Sequence, residues 1–181
     1  MTELVTPDVK WHDSWAQTLL EFGEGYPHGS GLGPGPIDVT ADGCAAFVAE
    51  RLRGADPEAP RPEGIVLCDY FWITDGDELV GFLALRHELT PWLLEEGGHI
   101  GYSVRPSARR RGVATEALRL VLPHAAALGI DPALLTCDID NVGSAAVIEA
   151  NGGVLEDVRG VKRRYWVPTG EPGAPAGVRP S

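Results

Sequence analysis

Residues 104–115 read Val104-Arg105-Pro106-Ser107-Ala108-Arg109-Arg110-Arg111-Gly112-Val113-Ala114-Thr115. Before them, 98–104 (GHIGYSV) has the composition of a β-strand, and after them 110–128 places Ala114, Leu118, Val121, Ala125 and Leu128 on one face of a helix. The stretch therefore joins a strand to a helix. The first turn of a helix leaves several N–H groups without intrahelical partners, and its dipole favours negative charge. A loop that enters such a turn with Arg109, Arg110, Arg111 and Gly112 has the makings of a pyrophosphate cradle. Gly112 lets phosphate oxygens approach the backbone without meeting a Cβ, and the small Ala114 keeps the next turn accessible. Pro106 lacks an N–H, which ends the preceding sheet pairing and frees the strand to splay. Three successive arginines are equally consistent with a solvated face, or with a site for a nucleotide or an RNA backbone, so the segment alone leaves these readings open.

Outward from this junction the chain alternates helical and extended patterns. Residues 11–22 (Trp11, Trp15, Leu19, Phe22) and 42–53 (Ala45, Val48, Ala49, Leu52) have helical spacing. The runs 68–74 and 79–87 flank Asp75-Gly76-Asp77 and predict a β-hairpin. Leu134–Asp138 reads as a buried strand, 142–150 as a helix ending at Asn151-Gly152-Gly153, and 153–158 and 162–167 as closing strands. Pro123 is expected to kink or shorten the helix over 110–128. The stretches 23–37 (GEGYPHGSGLGPGPI) and 54–64 are too rich in Gly and Pro to be anything but loops, and 168–181 is expected to be a flexible tail. The order α, α, β, β, β, α, β, α, β, β predicts an α/β (α+β) domain over 1–167, a mixed sheet with helices on both faces.

Composition narrows the function. A net charge of −11 argues against a general nucleic-acid partner. Residues 1–100 hold 18 acidic and 5 basic side chains, against 8 and 10 over 101–181. One half could receive an anion while the other attracts a cation. No apolar run is long enough for a membrane span, no secretory signal is visible, and Cys44, Cys68 and Cys137 match neither a disulfide framework nor a metal site. A cytoplasmic protein without a metal is expected.

The pair of motifs resembles the GNAT acyltransferase superfamily. Val104-Arg105-Pro106 followed by Arg109-x-x-Gly112-x-Ala114 is similar to its Val-x-Pro and (Gln/Arg)-x-x-Gly-x-(Gly/Ala) signature. Thr115-Glu116-Ala117 resembles the branch of ribosomal-protein N-terminal acetyltransferases. Asn141-Val-Gly-Ser144, ahead of the helix and the Gly-rich turn at 151–153, looks like the family's second element, whose Asn bonds pantetheine. The likeness is firm over 70–167 and weak over 1–69, where acceptor-side helices vary. It implies a sheet splayed at an acyl-CoA cleft, with the strands near 98–104 and 134–138 parting. Ser103, Val104 and Arg105 would pair with pantetheine, an N–H near Val104 would polarise the thioester carbonyl, Arg109 to Thr115 (Val113 among them) would hold pyrophosphate, and Asn141 and Ser144 would complete the site for acetyl-CoA.

Direct acyl transfer to an amine needs a base, because an alkylammonium ordinarily titrates near ~10.4. His99 is the first candidate, His87 the second, and Glu88 a further option. The tyrosine that protonates the departing thiolate in many family members falls here at Ile148. Cys137 could serve as proton donor or acyl carrier, or be a small buried apolar residue. Trp11, Trp15, Trp72 and Trp92 could line an acceptor pocket, although core packing suits most of them better. The resemblance thus implies a small-molecule amine acceptor, with a protein N-terminus or lysine as the alternative. Acyl-CoA binding without acetyl transfer, and another donor such as an aminoacyl group, also stay open. Homodimers are common in the family.

Overall fold

The computed structural model describes residues 1–170. In chain order the elements are β1 (Thr2–Val5), α1 (His12–Phe22), α2 (Ala41–Gly54), β2 (Cys68–Asp75), β3 (Glu78–Arg86), β4 (Ile100–Val104), α3 (Val113–Ala127), β5 (Ala133–Asp138), α4 (Val142–Ala150), β6 (Val154–Arg159) and β7 (Lys162–Val167). Strand β1 has no counterpart in the sequence reading. Four residues ahead of Thr6-Pro7 are too few to show a period, and their place is set by antiparallel pairing with β2. Helix α3 continues past Pro123 to Ala127, so the expected shortening does not occur. Residues 171–181 of the expected tail lie outside the described residues. Within 168–170, Thr169 is buried, with its N–H on Asp131 Oδ1 (3.0 Å) and its hydroxyl on the Ile130 carbonyl (2.6 Å).

The splay is deep enough to leave two antiparallel sheets, β1-β2-β3-β4 and β5-β7-β6. Helices cover both faces of the larger one. Trp15, Leu19 and Phe22 of α1 and Phe47 and Val48 of α2 pack on Trp72, Leu79 and Phe82. On the other face, Val113, Ala117, Leu118 and Val121 of α3 pack on Ile73, Val80, Leu83 and Leu85. Strict alternation along β3 would put Leu79 with Leu83 and Val80 with Phe82. A bulge prevents this: Ile73 pairs with Gly81 and Thr74 with Leu79, leaving Val80 without a partner and switching the faces. Full burial of each such side chain contributes about 1.5–3 kcal/mol.

The two sheets meet where β4 and β5 begin. The His99 N–H donates to the Leu134 carbonyl (2.7 Å), and the Leu134 N–H donates to His99 Nδ1 (2.9 Å). A side chain thus takes the place of a backbone acceptor just before the strands part. Burial, with a smaller contribution from the Arg86 charge, pushes the His99 pKa down to about 4. The folded protein therefore binds fewer protons at this site than the unfolded chain between that value and the ordinary ~6.5. The stabilisation is complete above ~6.5 and is lost as pH falls toward 4, amounting to roughly 2–3 kcal/mol. His99→Asn, which keeps an acceptor oxygen but cannot titrate, is expected to remove this part of the acid limb in denaturant melts at pH 7, 5.5 and 4.

Candidate active site

Two cavities open at the gap between β4 and β5. The first, about 440 Å³, lies over the start of α3 and is lined by Ser103, Val104, Arg109, Arg110, Gly112, Val113, Ala114 and Thr115, with Asn141 and Ser144 across the gap. The second, about 420 Å³, is bounded by Arg86, Trp92, Glu96 and Tyr70 on one side and by Thr136, Cys137, Asp138 and Lys162 on the other. Five side chains line both: Tyr26, His28, Tyr102, Asn141 and Ser144. The cavities therefore share a wall.

The first cavity is built from backbone chemistry. Glu116 makes the first N–H bond of α3, to the Gly112 carbonyl (3.0 Å), and the N–H groups of Val113, Ala114 and Thr115 have no protein partner among the described residues. Gly112 adopts φ 81°, and a Cβ there would meet nothing within 4 Å, so the loop backbone faces open space. Arg110 is also left-handed (φ 58°) and makes no ion pair among the described residues. Arg109 is anchored by its Nε on the Val104 carbonyl (2.9 Å). Arg86 N–H to His99 O and Arg105 N–H to Val80 O fix which β4 groups serve β3. Antiparallel alternation then turns the Tyr102 and Val104 N–H groups toward the gap. Asn141 caps α4, its Oδ1 accepting the Ser144 N–H (3.0 Å), which leaves its amide NH₂ without a protein partner among the described residues.

The side chains of Arg105, expected beside pantetheine, and of Arg111, expected in the cradle, are engaged elsewhere. Arg105 is buried and bound to Glu78 Oε2 (2.5 Å), with Glu21 at 3.5 Å, and Arg111 pairs with Asp75 Oδ2 (2.9 Å). The acidic N-terminal half thus neutralises part of the basic loop, and the separation of charge along the chain partly cancels in space. Neither side chain lines a cavity.

A family model described as the acetyltransferase (GNAT) domain matches residues 26–154. The chain belongs to the GNAT acetyltransferase family. No curated protein matches it by sequence. Solved structures share the fold at low identity. The ribosomal-protein-S5-alanine acetyltransferase of Vibrio fischeri has TM-score 0.66 at 15% identity, covering 94% of this chain and 93% of that one. The microcin C7 self-immunity acetyltransferase MccE, solved with acetyl-CoA and AMP, has TM-score 0.65 at 14% identity and covers 92% of each chain. RimJ of Mycobacterium smegmatis, solved with CoA-disulfide, has TM-score 0.64 at 20% identity and covers 92% and 80%.

Within this GNAT domain neither histidine singled out from sequence reaches the cleft. His99 is the clasp already described, and His87 pairs through Nε2 with Asp69 (3.0 Å); both, like Glu88, lie outside the lining of the two cavities. The histidine at the shared wall is His28. Its loop is held against β4 by the Ser103 hydroxyl, which donates to the His28 carbonyl (2.7 Å), and to α2 by Arg51, whose guanidinium binds the Ser30 and Gly31 carbonyls. Gly29 (φ 83°) sits so close to the Gly101 carbonyl that no Cβ fits. Burial, then the charges of Lys162 and Arg86, hold the His28 pKa below the ordinary range against the opposing pull of Asp138. The only sequence signal was a histidine among glycines, and the long-range packing that positions it is invisible there.

Ile148 is fully buried in the core, as its apolar side chain dictates. A hydroxyl nevertheless reaches the cleft: Tyr102 of β4 places its OH 2.9 Å from Ser144 Oγ, and burial raises its pKa far above the ordinary phenol range. Cys137 lines the second cavity, where burial raises its thiol pKa and keeps it protonated. Trp15 and Trp72 belong to the core and Trp11 packs against it, whereas Trp92 is 64% exposed at the rim of the second cavity. Among the described residues no helix is long and apolar enough to cross a membrane, and no group of three or more His, Cys, Asp or Glu could hold a metal.

Proposed function

We propose that this GNAT acetyltransferase transfers the acetyl group of acetyl-CoA to the primary amine of a small molecule by direct attack. The observation that carries the reading is the shared wall. A cavity with unpartnered helix N–H groups, suited to a pyrophosphate, meets a second one of amino-acid-to-drug size at a cluster of proton-transfer side chains. Acetyl-CoA supplies an activated thioester carbonyl. The N–H groups of Val113, Ala114 and Thr115 would bind its pyrophosphate and the Asn141 amide its pantetheine. The Val104 N–H would polarise the thioester carbonyl.

His28 would take the proton that the ammonium must lose before its nitrogen can attack the acetyl carbon. The Ser144–Tyr102 hydroxyl pair would protonate the sulfur as the C–S bond breaks and regain a proton from the nitrogen as the amide forms, so the two protons the ammonium loses end on His28 and on the thiol. Because burial lowers the His28 pKa, the ring is the free base at neutral pH and stops acting only when pH falls through that lowered value. His28→Gln is expected to lower kcat/KM about 100-fold and to flatten the acid limb of the pH–rate profile. An unchanged profile assigns the proton to another group.

The coarse test is a free-thiol-release assay with acetyl-CoA over a panel of small amines and N-terminal peptides. Turnover of small amines supports the reading, and turnover of peptides alone overturns it in favour of a protein N-terminus. That alternative is favoured by the ribosomal-protein acetyltransferases among the similar structures.

A further inference from the structure

The second cavity contains a cation that no carboxylate neutralises. Arg86 closes β3, and its Nη1 donates to the Gly97 and Gly98 carbonyls (3.1 Å each), which fixes the guanidinium against the turn before β4. No Asp or Glu among the described residues lies within 4 Å of it, whereas Lys162, the cavity's other cation, is bound to Asp138 (2.6 Å). Its Nε and Nη2 make no hydrogen bond within the protein among the described residues. Gly101 keeps the approach clear: a Cβ there would lie 3.5 Å from Arg86 Nη2. The charge is felt at the cavity wall, where it contributes to the lowered pKa of His28, and behind it at the buried His99.

A half-buried guanidinium held by one nitrogen, with its remaining donors on a cavity, is a receptor for a planar or tetrahedral anion. The inference rests on the transferase reading of the same site. We propose that the acceptor carries an anionic group, a carboxylate or a phosphate, beside its amine, and that Arg86 binds it while the amine reaches the wall at His28. A protein N-terminus lacks such a group on its first residue unless the side chain supplies one, so Arg86 also selects small zwitterionic amines over peptides.

Matched ligands test this at equilibrium and without turnover. Glycine is compared with glycinamide, and phosphoethanolamine with ethanolamine, by tryptophan fluorescence of the CoA-loaded protein. At least one anionic member is expected to bind about tenfold or more tightly than its uncharged counterpart, and the pair that shows it identifies carboxylate or phosphate. Arg86→Gln should abolish the advantage while leaving acetyl-CoA affinity unchanged. Gly101→Ala, whose Cβ fits at ordinary contact distance, should reduce the advantage without removing the charge. Equal binding within both pairs, no binding by any of the four, or a preference that survives Arg86→Gln overturns the inference. An anion preference without acetyl transfer would instead sink the transferase reading alone, and transfer to amines without that preference would sink only this one.

Discussion

Replacing Gly112 with Glu is expected to weaken acetyl-CoA binding at least about 100-fold and to abolish measurable transfer. The left-handed backbone at 112 makes any side chain cost about 1 kcal/mol, so stability falls modestly. Gly112→Ala carries that same cost without a charge and separates the two effects. A Cβ at 112 meets no protein atom within 4 Å, so a Glu side chain is free to fold over the N–H groups of Val113, Ala114 and Thr115 and to set its carboxylate against the pyrophosphate. Binding by titration calorimetry should therefore be weakened slightly in the Ala variant and lost in the Glu variant. Equal affinity in both would mean that the loop is only a solvated helix entry.

Removing the Ser144 hydroxyl should lower kcat about 100-fold with little change in KM for acetyl-CoA, since a proton delivered to the departing sulfur matters only as the C–S bond breaks. Tyr102→Phe is expected to produce a similar loss, because its OH and Ser144 Oγ lie 2.9 Å apart and act through one another. The double variant should be hardly slower than either single one, the signature of groups working as a unit. Burial keeps the phenol protonated well beyond the ordinary range, so the pair should contribute no alkaline limb to kcat at assay pH. Unchanged kcat in both single variants would remove the pair from proton transfer.

The open N–H groups at the start of α3 were legible in the sequence because they belong to the backbone. A strand, a proline, a glycine and a helix in that order mark where N–H groups lie exposed, whatever the rest of the chain does. Side-chain convergence was not legible. The loop that carries His28 to the shared wall depends on Gly29 touching Gly101 and on Arg51 gripping the 30–31 carbonyls. The hydroxyl pair depends on a tyrosine in β4 meeting a serine in α4, and all of these contacts join residues distant in sequence. The same limit hid the side-chain partners of Arg105 and Arg111: as sequence they belong to a basic loop, yet in the fold they meet Glu78, Glu21 and Asp75. His99 illustrates the converse. Its position at the mouth of the splay was read correctly, but a buried imidazole that accepts a backbone N–H is suited to holding two sheets together rather than to moving protons.

On the proposed function, one ligand spans the first cavity and presents its reacting carbonyl at the shared wall. A crystal structure of the protein grown with acetyl-CoA tests it most directly. The pyrophosphate is expected on the N–H groups of residues 113–115, and the thioester sulfur within hydrogen-bond reach of Ser144 or Tyr102. A pyrophosphate bound away from the start of α3, or a thioester outside the wall formed by His28, Tyr102 and Ser144, would contradict it.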